Sequence, residues 1–123
     1  MNIGMDFDDT IAAHPEEFAE MAKAFSSSGH DLYIISSFSE GEDSLLQKMK
    51  KYKTDKLKEW GISYKGLFMP VAPIPENKAK ICSELSIDIM IDDNCENLST
   101  IMAHNPKIVC LRLMESTGMA QGF

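Results

Sequence analysis

Short apolar runs alternate with longer amphipathic stretches along almost the whole chain. Five apolar runs are predicted to be strands: Asn2–Met5, Asp31–Ser36, Tyr64–Met69, Ile87–Ile91 and Lys107–Leu111. The stretches between them are predicted to be helices: His14–Ser28, 42–60, Asn77–Leu85 and Glu96–Ala103. Strands that alternate with helices favour a parallel sheet covered on both faces. The pattern therefore predicts an α/β fold, a three-layer, doubly wound domain with a parallel sheet of about five strands.

Two of the predicted helices have an apolar face. In the first, the face consists of Phe18, Met21, Ala22 and Phe25. In the second, it consists of Leu45, Met49, Tyr52, Leu57 and Trp60. A glycine follows each stretch, Gly29 and Gly61, and glycine is a common helix stop.

The length and charge of the chain limit its classes of function. The 123 residues suffice for one domain, which we assign to residues 1–113, and residues 114–123 are expected to fray. A net charge of −7 argues against general nucleic-acid binding through phosphate neutralisation. No apolar stretch approaches the ~18 residues of a membrane helix, so no membrane partner is expected.

The targeting and redox signals favour a reducing compartment. The first strand-like run starts at once, without a basic region and an apolar segment ahead of it, so no signal peptide is expected. Cys82, Cys95 and Cys110 are an odd number without C-x-x-C spacing, and they are predicted to be free thiols. Together these features predict a cytoplasmic protein.

Acidic side chains follow two of the predicted strands directly. Asp6 and Asp8 come after the first strand, and Asp92 and Asp93 come after the fourth. The carboxyl ends of parallel strands share one edge of the sheet, where ligands bind in doubly wound folds. Four like charges that meet there repel one another and lose hydration, so a cation is needed to neutralise them. Ligands that are all oxygen favour a hard ion, and we expect Mg²⁺.

The order of these residues resembles that of a known family. Asp6-x-Asp8-x-Thr10, Ser36, Lys78 and Asp92-Asp93 occur in that order, each at a predicted strand end or helix start. This resembles the four motifs of the haloacid dehalogenase superfamily, in its phosphatase branch, from residue 2 to about residue 111. The resemblance implies a Rossmann-like fold and a phosphoric monoester hydrolase that uses Mg²⁺.

The resemblance also implies roles for individual residues. Asp6 would be the nucleophile and Asp8 the general acid and base. The phosphoryl group would be held by Thr10, Ser36 or Ser37, and Lys78. The metal ligands would be Asp6, Asp8 and Asp93, with Asp92 as a supporting residue that orients Lys78.

Elementary chemistry agrees with these roles. A carboxylate such as Asp6 attacks phosphorus to form an aspartyl-phosphate, which splits one difficult displacement into two. Asp8, two residues on, is placed to protonate the leaving oxygen and later to deprotonate water, a role worth ~10²–10⁴ in rate. Serine hydroxyl and lysine ammonium groups supply donors to the phosphoryl oxygens, where charge develops.

Three assignments stay open in the sequence. Ser37 competes with Ser36, and Lys80 competes with Lys78, although the first of each pair is favoured. Asp92 and Asp93 also fit the capping turn of a helix that starts before Glu96. Either member of the acidic pair is a candidate for the direct metal ligand.

Two features depart from the resembled family. Asp9 occupies a position where that family more often has glycine, and its side chain adds a fifth carboxylate near the site. No stretch is long enough for a cap domain, so the site is expected to be open. An open site admits a large phosphorylated substrate, whereas a second copy of the chain or residues 37–47 would have to cover it for a small ester. Residues 56–62 and 91–93 resemble nucleotidase-related members, but those members usually carry a cap. A nucleotide is therefore one candidate substrate beside other phosphate esters.

Six of the twelve basic residues are lysines within residues 48–58. They point in several helical directions, so a solvated helix face is favoured over a basic strip that guides an anionic substrate.

Other functions compete with the phosphatase. A dehalogenase is disfavoured because it does not use the acidic pair as a metal site. A phospho-accepting receiver domain would have a similar fold and a similar set of aspartate, serine and lysine. A non-catalytic regulatory protein on the same fold is the remaining alternative, because intact motifs do not prove activity.

Overall fold

The computed structural model describes residues 1–38 and 43–115, which form a five-stranded, parallel sheet. The strands are β1 (Asn2–Met5), β2 (Asp31–Ile35), β3 (Gly66–Phe68), β4 (Ile89–Asp92) and β5 (Val109–Arg112). The helices are α1 (Pro15–Ser27), α2 (Asp43–Glu59), α3 (Ile74–Glu84) and α4 (Cys95–His104). An irregular turn over Phe7–Ile11 follows β1. The predicted doubly wound α/β fold is confirmed.

The strand order in the sheet is β3-β2-β1-β4-β5. The chain runs outward from β1 through β2 to β3, then crosses back to place β4 on the other side of β1. The order therefore reverses between β1 and β4, and the ends of these two strands flank the place where such sheets bind ligands. Asp6 follows β1, and Asp92 is the last residue of β4.

The pleat of the strands sends alternate side chains to two separate cores. Ile3 and Met5 of β1 pack in one core with buried residues of α1 and α2. Met90 of β4 packs in the other core with buried residues of α3 and α4. By the same alternation, the residues after Met5 and Ile91 project toward α3, and Ser36 projects toward α2. The pleat thus decides which helix each site residue meets.

The boundaries of every predicted element except β1 differ from the sequence prediction by one to three residues. The third strand is confined to Gly66–Phe68. Helix α3 begins at Ile74 rather than Asn77, with Pro75 in its first turn, where the missing N–H of proline costs no hydrogen bond. Both predicted glycine stops have left-handed backbone, with φ of 81° at Gly29 and 71° at Gly61.

Two predicted apolar positions are wrong. Met21 of α1 is 37% exposed, and Tyr52 of α2 is 52% exposed. In α2 the predicted Leu57 is fully buried, and Lys53, four residues earlier, is only 1% exposed. The inward face of α2 therefore keeps Leu57 but has the charged Lys53 in place of Tyr52.

The described part of the chain between β2 and β3 contains one helix, α2, and no additional sheet. Part of the 37–47 segment that was considered as a cover, residues 39–42, lies outside the described residues. So does the greater part of the expected fraying tail, from residue 116 onward. None of the helices within residues 1–38 and 43–115 is long and apolar enough to cross a membrane.

Candidate active site

Asp6 and Asp92 lie side by side at the carboxyl ends of β1 and β4. The Asp6 backbone N–H donates to the Ile91 carbonyl at 2.9 Å, which extends the parallel ladder by one step. Asp6 is 5% exposed and Asp92 is fully buried. Two carboxylates buried this closely need a positive partner.

Lys78 of α3 is that partner. Its Nζ donates to Asp6 Oδ1 at 3.0 Å and to Asp92 Oδ2 at 2.7 Å, and the residue is 1% exposed. Burial by itself lowers the pKa of Lys78, but the facing Asp6 and Asp92 outweigh burial, so the pKa lies above its ordinary value. Lys78 is therefore a permanent cation between the two carboxylates.

The protonation of Asp6 is finely balanced. The pKa of Asp6 is raised to about 7, chiefly by burial and also by the Asp92 carboxylate, although the Lys78 ammonium opposes the rise. Burial also raises the pKa of Asp93, and a hydrogen bond with Asp92 adds to the rise. Such shifts are typical of groups that act on a proton or hold a cation.

Thr10 joins Asp6 to Asp93. Its hydroxyl oxygen lies 3.4 Å from Asp6 Oδ2 and 3.4 Å from Asp93 Oδ1, so the hydroxyl hydrogen donates to one carboxylate at a time. Carboxylate oxygens of Asp6, Asp92 and Asp93 all lie within 4.8 Å of one another. This spacing and the all-oxygen donor set fit a hard divalent cation such as Mg²⁺.

The two members of the acidic pair have different surroundings. Asp92 Oδ2 accepts from Lys78, and Asp92 Oδ1 accepts the Asn94 N–H at 3.0 Å. Asp93 is partly exposed. The helix cap that the sequence left open is Asn94, whose side chain accepts the Asn97 N–H at 2.9 Å. The acidic pair therefore precedes the cap.

A second cluster forms around Lys53. Its Nζ donates to Asp8 Oδ2 at 2.9 Å and to Ser36 Oγ at 2.5 Å, and it lies 5.4 Å from the centre of the Phe7 ring. Ser36 is fully buried, whereas the side chain of Asp8 is 54% exposed. The prediction that the lysines of residues 48–58 form a solvated face is wrong for Lys53.

The sequence contained a usable signal for Lys53. It lies four residues before Leu57, which the helical pattern had placed on the buried face. The spacing from Leu57 is hard to recognise among six closely spaced lysines. Lysine is almost never buried without a partner, so the pattern favours exposed positions for all six.

The predicted residues therefore fall into two groups. Asp6, Thr10, Lys78, Asp92 and Asp93 come together, while Asp8 and Ser36 join Lys53. The carboxylates that lie close together are those of Asp6, Asp92 and Asp93, whereas the sequence favoured Asp6, Asp8 and Asp93 as metal ligands. A metal-ligand role for Asp8 therefore stays a prediction. The two residues that competed in the sequence, Ser37 and Lys80, are half-buried and exposed, respectively.

Asp9 has the backbone conformation that glycine favours. Its φ is 59° and its ψ is 7°, in the left-handed region. Aspartate is one of the few non-glycine residues that enter this region regularly. The turn over Phe7–Ile11 therefore places Asp9 in a conformation that glycine would adopt without strain.

An open cleft of about 520 Å³ adjoins Asp93. Its lining includes Asp9, His14, Arg112 and Glu115, and the His14 ring and the Glu115 carboxylate contact each other there. The Arg112 side chain donates to the Asp93 carbonyl at 3.2 Å. The cleft gives solvent an approach to the acidic cluster through Asp93.

Comparisons with known proteins identify the fold. No protein-family model matches the chain, and no curated protein is similar to it. Solved structures that resemble it include a universal stress protein from Archaeoglobus fulgidus, with 14% identity, 89% of this chain and 92% of that chain covered, and a TM-score of 0.55. A universal stress protein in complex with cAMP has 9% identity and a TM-score of 0.61, and the match covers 94% of this chain and 98% of that chain.

A chain of the Pnkp1/Rnl/Hen1 complex is also similar. It has 14% identity and a TM-score of 0.67, and the match covers 91% of this chain but only 45% of that one. At these identities the likeness establishes the Rossmann-like α/β fold and leaves the chemistry to the site itself.

Proposed function

We propose that the protein is a Mg²⁺-dependent phosphomonoester hydrolase of the haloacid dehalogenase type that works through an aspartyl-phosphate on Asp6. One observation carries the proposal: Asp6 is buried at the strand-order reversal, bound to Lys78 and within 4.8 Å of two further carboxylates. The substrate would be a phosphorylated metabolite, a nucleotide or an exposed phosphate on a macromolecule.

The donor set supports Mg²⁺ at this place. We assign Asp6 and Asp93 as its carboxylate ligands. Both oxygens of Asp92 are held by close donors, Lys78 at 2.7 Å and the Asn94 N–H at 3.0 Å. Asp6 Oδ2 and Asp93 Oδ1, by contrast, have only the long 3.4 Å contacts to the Thr10 hydroxyl. When bound, the ion supplies positive charge that screens the carboxylates from the phosphate oxygens. Asp92 then acts indirectly, by holding Lys78 in place.

The first half of the reaction forms a bond between an Asp6 oxygen and phosphorus and breaks the bond from phosphorus to the ester oxygen. Asp8 enters this step protonated, with one oxygen still accepting from Lys53, and gives its proton to the ester oxygen, which leaves as the alcohol. Lys78 and Ser36 donate to the phosphoryl oxygens, where negative charge spreads during transfer.

The second half returns the protein to its starting state. Asp8, now ionised, takes a proton from water as the water oxygen bonds to phosphorus. The bond from Asp6 to phosphorus breaks, inorganic phosphate is released, and Asp6 is again a carboxylate. Because Asp6 takes up a proton near pH 7 when no cation is bound, a nearby cation favours the ionised form that the attack requires.

A binding or regulatory protein is the second candidate. Two of the similar universal stress protein structures are complexes with dAMP and with cAMP. A nucleotide-binding protein, or a receiver that keeps a phosphoryl group on Asp6, would use the same edge of the sheet. Either one would bind or accept phosphate without catalytic turnover.

Location and assembly are part of the same proposal. The described chain has its three cysteines free, which supports a reducing compartment such as the cytoplasm. An open site supports either a large substrate or a second copy of the chain as a cover for a small one.

Hydrolysis of an aryl phosphate tests the proposal. We expect turnover in Mg²⁺ that is lost in EDTA and falls by at least about 10⁴-fold in Asp6→Asn, which keeps the size of the side chain. Circular dichroism would show that this variant is folded. Full activity of Asp6→Asn, or activity that ignores EDTA, would contradict the proposal, and stable phosphorylation without turnover would support the receiver.

A further inference from the structure

The Lys53 ammonium connects three separate parts of the chain. Lys53 lies in the middle of α2, Asp8 in the turn after β1, and Ser36 directly after β2. The distances from Nζ are 2.9 Å to Asp8 Oδ2 and 2.5 Å to Ser36 Oγ. Both partners are residues to which the proposed reaction gives a role.

Burial of the Lys53 ammonium costs desolvation free energy, so its retention needs an explanation. Lys53 is 1% exposed, whereas Lys51, two residues earlier, has a side chain that is 77% exposed and pairs with Asp55. A buried lysine is tolerated only with close partners. Here one partner, Asp8, is half-exposed and gains little stability from the pair, so stability alone is a weak reason to retain Lys53.

The hydrogen-bond roles at Lys53 are fixed by chemistry. An ammonium group has three donors and no acceptor. The Ser36 oxygen must therefore accept from Lys53, which leaves the Ser36 hydroxyl hydrogen available to donate elsewhere, such as to a phosphoryl oxygen. The same ammonium restricts the Asp8 carboxylate, which is 54% exposed and would otherwise sample several rotamers.

From this geometry we infer that Lys53 is a positioning residue that orients Asp8 as the general acid and Ser36 as a phosphate donor. The inference rests on the proposed function. Helix α2 thus takes part in the reaction through one inward lysine, in addition to the motif residues at the strand ends. Lys78 organises the nucleophile and the acidic pair, whereas Lys53 organises the acid and the serine.

Leaving-group dependence distinguishes this role from a structural one. An alkyl phosphate needs a proton on its departing oxygen, whereas 4-nitrophenyl phosphate departs as a stable phenolate. Loss of a well-oriented acid costs ~10²–10⁴ in rate only where the proton is needed. We expect Lys53→Met to lower kcat/KM for the alkyl ester by about 10²-fold and for the aryl ester by less than about 10-fold.

Matched variants complete the experiment. Lys51→Met removes an exposed lysine from the same helix and should leave both esters unaffected. Asp8→Asn should show the same selective loss as Lys53→Met, and the double variant should lose little more than Asp8→Asn alone. Lys53→Gln gives the same comparison if Lys53→Met does not fold by circular dichroism.

The outcomes separate the inference from the function on which it rests. Equal losses on both esters, or losses that add in the double variant, would overturn the role of Lys53 and leave the phosphatase intact. A wild-type protein that hydrolyses neither ester in Mg²⁺ would overturn the proposed function and the inference with it.

Discussion

Two buried lysines approach the same edge of the sheet from opposite faces, and their surroundings differ. Lys78 of α3 lies between Asp6 and Asp92, which are 5% and 0% exposed. Lys53 of α2 lies between a buried serine, Ser36, and the half-exposed Asp8. The α3 side therefore holds buried charges that are costly to separate, whereas the α2 side pairs its lysine with one neutral hydroxyl and one carboxylate that reaches solvent. The α3 side is thus a buried ionic centre around the proposed nucleophile, and the α2 side supports the proposed acid and the serine.

The largest expected difference between the two sides is the loss of stability when each lysine is removed. Lys78→Met leaves two buried carboxylates without their cation, which should lower the free energy of unfolding by ~3–5 kcal/mol. Lys53→Met leaves the Ser36 hydroxyl without its donor and a half-exposed carboxylate, which should cost only ~1–2 kcal/mol. Urea denaturation of both variants in EDTA measures the difference. Equal losses would contradict the contrast between the two sides.

The two aspartates of the acidic pair should differ in metal affinity. Asp93→Asn removes an assigned ligand, so we expect Mg²⁺ affinity to fall by more than ~100-fold. Asp92→Asn alters only the support of Lys78, and the affinity should fall by ~10–100-fold. Isothermal titration with Mg²⁺ measures both. A larger loss in Asp92→Asn would reverse the assignment.

The α3 side should also make stability depend on pH in the absence of metal. The pKa of Asp6 rises from 3.8 to about 7 on folding, so between these values the folded state binds more protons than the unfolded state. Stability therefore falls as the pH rises through this window. The raised pKa of Asp93 acts in the same direction.

Asp6→Asn isolates the contribution of Asp6, because asparagine does not titrate. The free energy of unfolding of the wild type minus that of Asp6→Asn should fall from about pH 4 to about pH 7 in EDTA. Denaturant melts at several pH values measure it. A difference that is flat or rises with pH would show that the Asp6 carboxyl is not held protonated by burial.

The smallest expected effect concerns the two neighbouring serines. Ser36 is buried and bound to Lys53, whereas Ser37 is half-buried. Ser36→Ala should lower kcat/KM by about 10-fold, on the scale of a ~1–1.5 kcal/mol hydrogen bond, and Ser37→Ala should change it by less than ~2-fold. Steady-state kinetics on one phosphate ester compares them. A larger effect of Ser37→Ala would move the phosphate donor to the second serine.

The α3 side could be predicted from the sequence because its residues stand next to strand ends. Asp6 and Asp92 follow apolar runs directly, and the pleat of the strand then determines their direction. Lys78 lies one turn into a helix that leads into β4. Local patterns thus specify this half of the site, and the parallel sheet brings the parts together.

The α2 side could not be predicted so fully, because its key residue lies in mid-helix. The only signal for Lys53 in the sequence is its spacing of four residues from Leu57, and its partners lie 17 and 45 residues away. The register of α2 on the sheet decides that Lys53 and not Tyr52 faces inward. That register depends on tertiary packing, in which Leu57 is fully buried, rather than on the helical pattern alone.

Direct identification of the covalent intermediate tests the central claim, that Asp6 is the nucleophile. The protein would be mixed with substrate and Mg²⁺, quenched rapidly in acid and treated with borohydride, which reduces an acyl phosphate to the alcohol. Peptide mass spectrometry should then find homoserine at position 6, in amounts that depend on Mg²⁺ and are absent from Asp6→Asn. A turning-over protein with intact aspartate at position 6 and a phosphoryl group on another residue would contradict the account.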